Sequence, residues 1–578
     1  MTDIAQSSDS SHVSRPLARQ GNRAASPLVR VVRAHGAATA LIALWLWSAI
    51  AAIGSSAVNS FETGVYVNGG ARLLQGQHVY KDFFSIYGPL TYYPFALTQL
   101  FSSNPHVSSQ IVFIAFSLLD AILTYCVVRG ITTNRWLQLL AIVASLTYSG
   151  GGFRLPLALA AVLCVMRYAN SGRPWTLAAA GGLAAANLAI QQDMAAFTLA
   201  AVGFSSMVIA MARSPRGAAT WQANSFSIAA GGGFVVAGFA AIAAIFMGWM
   251  ASLGTARLYV HDAFVVTLSR YDTLHMRTIP AIWAAPPLAP GVVSMWARLG
   301  IDGLMRWFFY TLPFFWVPGV CACVAIAATI VLWRRRVSAS DLSWWSAMLV
   351  IAVLGLCMSR SILKTGDEIK LKVNSLPAAL LVIGMADRLW RRRSINSHGS
   401  HPARRPSPSL ARCGIILAVM LLIFETYPLL QGQIKGRLHP ALSPYSSASG
   451  VSALDIQRCG SVDVARISAY LKTHATDGRL FCVPSVPILY VDTGLRNVTS
   501  YDYLDPIIAP EVCGSLVRQL NANPPQYVVV VDGLRFWDQY EFGQQFGQDV
   551  AAYIAAHYAT VYHCGDYRVM RLKSQKAA

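Results

Sequence analysis

Asn59-Ser-Phe-Glu62-Thr-Gly-Val-Tyr66-Val-Asn-Gly-Gly-Ala-Arg72-Leu-Leu-Gln-Gly-Gln-His78-Val-Tyr80-Lys81-Asp82-Phe-Phe-Ser-Ile-Tyr87-Gly88-Pro89-Leu-Thr-Tyr92-Tyr93-Pro94-Phe95 is the stretch from which the rest of the chain is read. It follows the first hydrophobic run and is too polar to cross a bilayer. It also differs from a solvated loop. Tyr and Phe recur, Glu62 and Asp82 lie in apolar surroundings, and Val65 to Leu74 has the spacing of an amphipathic helix. Gly88-Pro89 breaks the chain before a short apolar piece, Tyr92 to Phe101, of about half the ~20 residues a spanning helix needs. The expectation is a loop lying along the membrane face, with carboxylates held near the lipid boundary.

The composition sets that loop in a membrane protein. Of 578 residues 55% are hydrophobic and 12% charged, against roughly 25% charged in soluble domains. The net charge of +20 raises a nucleic-acid reading, which its distribution opposes: the Arg clusters stand between apolar runs, and no basic stripe with interleaved aromatics lies on a soluble segment. Residues 1–35, rich in Ser, Arg and Ala, read as a disordered cytoplasmic N-terminus. The apolar run after them is too long for a cleavable signal and is expected to stay as an anchor.

Apolar runs place spans near 36–58, 108–128, 136–151, 153–169, 174–190, 194–212, 226–250, 307–333, 343–358, 372–390 and 412–430. Arg15 to Arg33 put the N-terminus inside. Alternation then gathers Arg129/Arg135, Arg167/Arg173, Arg213/Arg216, Arg334 to Arg336 and Arg391 to Arg412 on that same side. The fold class expected is therefore an all-α polytopic membrane protein, N-in and C-out, over residues 36–432. The opposite face collects the 59–106 loop, Arg154, Gln191-Gln192-Asp193, a long 251–306 segment expected to form surface helices, and the Arg360 to Lys370 loop. Residues 440–578 read as a small extracytoplasmic α/β domain. In it, Val462 to Thr473 forms a helix capped by Ser461, Arg479 to Val483 and Tyr527 to Val531 form strands, and Gly547 to His557 forms a helix. Ala559 to His563 and Tyr567 to Leu572 make a hairpin about Gly565-Asp566. Cys459, Cys482, Cys513 and Cys564 permit two disulfides in an oxidising compartment.

Candidate chemistry lies on the outer face. Glu62, desolvated among aromatics, suits a general base, or else is a solvated acid that ends a helix. Asp82 is a second carboxylate, or a partner that orders the loop by pairing with Lys81; Lys81 also suits a phosphate. Asp193 is a helix N-terminal acid or part of a cavity wall with Gln192. Arg360, with Lys364, Lys370 and Lys372, reads as a phosphate site or as snorkelling cations paired with Asp367 and Glu368. His261-Asp262 reads as a structural pair, and no nucleotide-binding or metal-ligand spacing is present.

The first loop, from Ala71-Arg72-Leu-Leu-Gln-Gly-Gln-His78 through Tyr80-Lys81-Asp82-Phe-Phe-Ser-Ile-Tyr87-Gly88-Pro89 to Tyr92-Tyr93, resembles bacterial members of the C-fold (GT-C) glycosyltransferase superfamily. These are the relatives of protein O-mannosyltransferases and the lipid A aminoarabinose transferase. Gln191-Gln192-Asp193 is similar to their Lys-Gln-Asp corner, Arg360 with Asp367 to a loop before a late span, and Pro487 to Tyr503 to their soluble tail. Departures are Glu62 where an Asp is usual, Gln191 for the corner Lys, and Lys370 or Leu371 near an expected His. The resemblance implies a transferase using a polyprenyl-phosphate sugar donor, with inversion at the anomeric carbon. Glu62 or Asp82 would act as base, and Arg360, Lys81 or Arg154 would meet the leaving phosphate. Asp193, Gln192, Tyr87 and Lys370 would join the substrate site. It implies no cofactor, with a divalent ion left open, and an acceptor that is a glycan, lipid or protein. Rival readings are a transporter of lipid-linked sugars and an inactive relative serving in assembly.

Overall fold

The computed structural model describes residues 42, 45, 46, 62–102, 104–148, 152–214, 221–271, 311–334, 337–365, 371, 373–396, 461–536 and 539–573. The expected N-terminal tail, nearly all of the 36–58 span, the 412–430 span, residues 272–310, Lys370 and Cys459 lie outside them.

The first loop folds into helix α1 (Glu62–Leu74), a 3-10 turn at Pro89–Thr91 and helix α2 (Tyr93–Gln99). The bundle follows as α3 (Pro105–Arg129), α4 (Arg135–Tyr148), α5 (Pro156–Ser171), α6 (Trp175–Ala186), α7 (Gln192–Arg213) and α8 (Trp221–Ser252). Next come the short α9 (Ala256–Val260), a π-helical turn at His261–Val266 and α10 (Thr267–Tyr271), then α11 (Pro313–Trp333), α12 (Ala339–Thr365) and α13 (Leu376–Asn396). Pro105–Arg129, Gln192–Arg213, Ile228–Ser252, Pro313–Trp333 and Ala339–Leu363 are long and apolar enough to cross a bilayer. The expected spans at 136–151, 153–169 and 174–190 become shorter apolar helices instead. Helix punctuation explains this: Pro156 stands in the first turn of α5, Gly172 ends it at φ +70°, and α6 gives way to a 3-10 turn at Asn187–Ala189. α6 and α8 touch backbone to backbone, since a Cβ on Gly181 would lie 2.0 Å from the Val235 carbonyl oxygen.

Side-chain contacts sort the helix ends. Arg388 meets Asp341 at 2.5 Å, Arg391 reaches Thr133 at 2.6 Å, and Arg213 donates to the Ala169 carbonyl at 2.5 Å. Those residues share one end, the basic end, as alternation of the spans predicts. The other end carries the first loop: the Gly88 N–H donates to the Ile190 carbonyl (2.9 Å), as does Thr91 Oγ1 (3.0 Å), and the Tyr259 hydroxyl donates to the Leu188 carbonyl (2.9 Å).

Residues 461–573 build an α/β unit from α14 (Ser461–His474), β1 (Arg479–Val483), α15 (Ile488–Thr493), β2 (Arg496–Asn497), α16 (Ala509–Ala522), β3 (Tyr527–Val531), β4 (Arg535–Phe536), β5 (Tyr540–Glu541), α17 (Gln548–His557), β6 (Tyr558–Cys564) and β7 (Tyr567–Leu572). The main sheet runs β2-β1-β3-β7-β6, parallel through β2, β1 and β3 and antiparallel from β7. β3 is buried along its whole length, as its unbroken Tyr-Val-Val-Val-Val pattern requires. Among the described residues Cys482, Cys513 and Cys564 are free thiols; the two disulfides that four cysteines would permit do not link these three. Burial pushes the Cys513 thiol up to about 11.

The packing boundary departs from the expected sequence boundary. Tyr80, Phe83, Tyr92 and Phe95 of the first loop share one hydrophobic core with Leu480, Val529 and Leu516 of the α/β unit, while the bundle has its own. Thr63 to Gly70 are all buried, so α1 does not lie on the membrane face. Its small side chains let neighbours close in: a Cβ on Gly64 would meet the Ile488 nitrogen at 2.7 Å. The surface-lying apolar face belongs to the next segment, where Tyr93, Leu97, Leu100 and Phe101 are exposed.

Candidate functional site

The loop is clamped by a buried cation. Arg72 places Nη1 2.6 Å from Asp502 Oδ1, with 7% and 4% of the two side chains exposed. Its Nε donates to Gln77 (2.6 Å), and Nη2 donates to the carbonyls of Asp82 (3.0 Å) and Thr499 (3.3 Å). The Phe83 ring lies 4.8 Å from the guanidinium. With four of its five N–H donors engaged, Arg72 docks the loop onto the α/β unit.

Asp82 serves the same loop. Its Oδ2 accepts the His78 N–H at 2.7 Å and closes the turn, in which Tyr80 takes φ +71°. Among the described residues no ion pair joins Lys81 to Asp82, and Lys81 is exposed. The short-range turn competes successfully with that expected pair. Tyr80 donates its hydroxyl to the Tyr87 carbonyl, and Ser85 shares a 2.7 Å hydrogen bond with the Tyr92 hydroxyl. Burial raises the pKa of both Tyr80 and Tyr92, so they act as neutral donors. Tyr87 itself is half-buried, its ring 5.4 Å from that of Tyr66.

Beside this wall the bundle end contributes its own polar groups. Gln192, at the start of α7, donates Nε2 to the carbonyls of Ile86 and Ala263, both at 2.7 Å. One amide thus holds the first loop and the π-helical turn together. Asp193 binds Arg154 at 2.5 Å, and the Arg154 Nε is buried without a partner. Asn187 is fully buried with both side-chain polar atoms unpartnered, and the Gln191 Oε1 is unpartnered as well. Groups so buried and unfilled mark a place where water or a ligand completes the bonding.

The π-helical turn presents Asp262, whose Oδ1 lies 2.9 Å from His261 Nδ1. Burial raises its pKa, partly offset by the His261 hydrogen bond. The turn that carries Asp262 is tied to the bundle end through the Ala263 carbonyl and Gln192, and Tyr259 just before it packs its ring 5.4 Å from that of Tyr80 in the first loop. Sequence reading set Asp262 aside as half of a structural pair. The available signal was a His-Asp island beyond an apolar span, and for Asn187 a lone amide in an Ala-rich run.

Of the sequence-predicted residues, the structure brings together Gln192 with the Ile86-Tyr87 backbone, and Arg154 with Asp193. Glu62 opens α1; its side chain and Lys370 lie outside what is described. Arg360 is exposed near the end of α12. It stands about 18 Å of helix rise beyond Met348, which packs against Gly384 together with Ile131 near the basic end. Arg360 therefore belongs to the docked end, and among the described residues no hydrogen bond or ion pair joins it to Arg154, Asp193 or Asp262. Also among the described residues, no three His, Cys, Asp or Glu side chains gather as a metal site would need.

No protein-family model matches the chain, and no curated protein does. Among solved structures it is similar to the crystal structure of ArnT from Cupriavidus metallidurans bound to undecaprenyl phosphate, at 12% identity and a TM-score of 0.48, covering 94% of this chain and 99% of that one.

Proposed function

We propose that the chain is a membrane glycosyltransferase that moves a sugar from a polyprenyl-phosphate donor to an acceptor hydroxyl, by inverting single displacement with a carboxylate base. The observation that carries this reading is the meeting of Gln192, the Arg154–Asp193 pair, His261–Asp262 and the orphaned Asn187 amide at one end of an apolar bundle, under a folded α/β unit. A lipid-linked sugar phosphate has its head in water and its tail in lipid, and needs polar groups at that boundary. The loop sequence Arg72 to Tyr93 supports the same class by resemblance.

In this reading Glu62 takes the proton from the acceptor hydroxyl. Asp262, whose pKa burial raises, stands next in line. Asp82 is left to its turn. Charge that builds on the departing phosphate meets Arg154 and Arg360, with Lys81 at the loop rim. The basic end faces the cytoplasm by the charge rule, and the docked end with residues 461–573 faces outward from a bacterial inner membrane.

Reconstitution in vesicles with a set of polyprenyl-phosphate sugars tests it. Wild-type protein is expected to consume at least one donor, and Glu62→Gln to lower turnover by about 10²–10⁴ while Asp82→Asn leaves it within a few fold. Equal rates in wild type and Glu62→Gln remove the base assignment. Donor crossing the bilayer uncleaved replaces transfer with transport.

A further inference from the structure

The α/β unit contains a cleft that the transfer chemistry leaves unused. It has a volume of about 330 Å³ and is bordered by Asp532, Glu541, Phe542, Gln544, Ile554 and Arg568. Its floor is the carboxyl end of β3 and the start of β7. β3 is the middle strand of the sheet and runs parallel to β1. The chain leaves β1 for β2 on one side and returns through α16 to β3 on the other. Open sheets of this kind hold ligands beyond the carboxyl ends of their parallel strands; this cleft shares the carboxyl end of β3 but opens on its β7 side rather than at the β1–β3 reversal. The same edge carries the contact of Ile488 with Gly64, just past β1. The cleft opens about one to two strand spacings further along the sheet, about 5–10 Å, and is lined wholly by residues of the α/β unit.

The lining selects the ligand. Arg568 grips Asp532 in a fork, with Nε at 2.5 Å and Nη2 at 2.6 Å, so its positive charge is already matched. Glu541 gives one oxygen to Arg535 at 3.1 Å and keeps the other open. The Gln544 side-chain amide is exposed and hydrogen-bonds to no described residue. With Asp532 matched by Arg568 and Glu541 by Arg535, the lining offers no unmatched cation to hold a phosphate or other anion. What it offers is planar donors and acceptors around an aromatic face and an aliphatic wall. That combination fits the hydroxyls and C–H face of a pyranose ring, and the volume falls within the ~300–1,000 Å³ usual for small-molecule sites.

We propose that this cleft binds one uncharged saccharide unit, and that the sugar belongs to the acceptor. The acceptor assignment rests on the transferase reading; the binding does not. Ligand-observed saturation-transfer NMR on the full chain in lipid nanodiscs tests binding, with glucose, galactose and N-acetylglucosamine as probes and inorganic phosphate as competitor. At least one neutral sugar is expected to bind, with affinity reduced tenfold or more by Glu541→Gln and by Ala551→Leu, which fills the cleft. The surface variant Gln544→Ala is expected to weaken binding severalfold, and phosphate to compete not at all. Absence of binding by every sugar, equal binding by wild type and all three variants, or displacement by phosphate overturns the proposal. In the reconstituted reaction Glu541→Gln is expected to raise the acceptor KM at unchanged kcat; an unchanged KM with sugar binding lost overturns the acceptor assignment. A chain that binds sugar in the cleft yet transfers none overturns the transferase reading and leaves the cleft standing.

Discussion

At the basic end of the bundle Arg388 meets Asp341 at 2.5 Å with 18% and 41% of their side chains exposed; at the docked end Arg72 meets Asp502 at 2.6 Å with 7% and 4% exposed. The distances match, but the surroundings differ. Arg388 also lies 4.2 Å over the Trp344 ring, and a second arginine, Arg391, reaches Asp387 and Thr133 from 47% exposure. Charges of that kind stay close to water and report which side of the membrane they prefer. Arg72 has left water altogether and is held by an acid 430 positions away. Half-exposed pairs gather at the basic end, and the buried pair joins the first loop to the α/β unit.

Breaking the buried pair gives the largest expected effect. Removing either partner strands a charge inside a core, at a cost of about 3–5 kcal/mol. Arg72→Ala and Asp502→Ala should therefore each release the first loop from the α/β unit, read as faster hydrogen exchange across 62–101 and 497–505 and as new protease cleavage there. The double variant Arg72→Met with Asp502→Leu, which leaves no charge behind, should recover much of the protection. If each single variant exchanges like wild type, the pair does not hold the junction.

Asp505 sharpens the contrast from the same edge. It is buried, accepts N–H bonds from Ile507 (2.9 Å) and Ile508 (3.0 Å), and burial lifts its pKa from 3.8 to about 6 against those bonds. A folded pKa above the unfolded one means that the folded chain holds its proton longer. The contribution of this group is thus fully present below pH 4, declines as pH rises, and is lost above pH 6. A two-unit shift corresponds to about 3 kcal/mol. Amides of Leu480 to Val483 and Val528 to Val531 should lose protection between pH 4.5 and 7 after correction for intrinsic exchange. Asp505→Asn, which keeps an acceptor oxygen and stays neutral, should abolish that loss. An unchanged pH profile in the variant would assign the titration elsewhere.

Much of this architecture was legible in the chain, because local pattern encodes local burial. The strands Arg479–Val483 and Tyr527–Val531 and the hairpin about Gly565-Asp566 appear where their periodicity puts them, and five apolar runs become helices long enough to cross a bilayer while three others become shorter ones. The site was less legible. Periodicity shows that α1 has an apolar face but not that Ile488 and Tyr92 close on its glycines. Nothing around Gln192 announces that its amide bridges carbonyls 106 and 71 positions away. Asp82 and Lys81, neighbours in sequence, invited a pairing that the turn at His78 pre-empts. Partner identity across hundreds of residues is a property of the packed state.

The smallest effect is expected at the basic end, and its smallness is the test. Exposed ion pairs contribute about 0–1 kcal/mol, because water screens them and the side chains lose freedom on pairing. Asp341→Asn should then leave the melting temperature within about 1–2 °C of wild type, since a domain of this size shifts only a few degrees per kcal/mol. Arg388→Ala should cost slightly more, because the guanidinium also covers the Trp344 and Trp345 rings at 4.2 and 5.2 Å. Added salt should erase the Asp341→Asn difference, as screening acts on exposed charges, and leave the Arg72→Ala defect in place. Should Asp341→Asn instead unfold the chain as Arg72→Ala does, burial is not what separates the two ends, and the basic arginines are structural supports in their own right rather than markers of orientation.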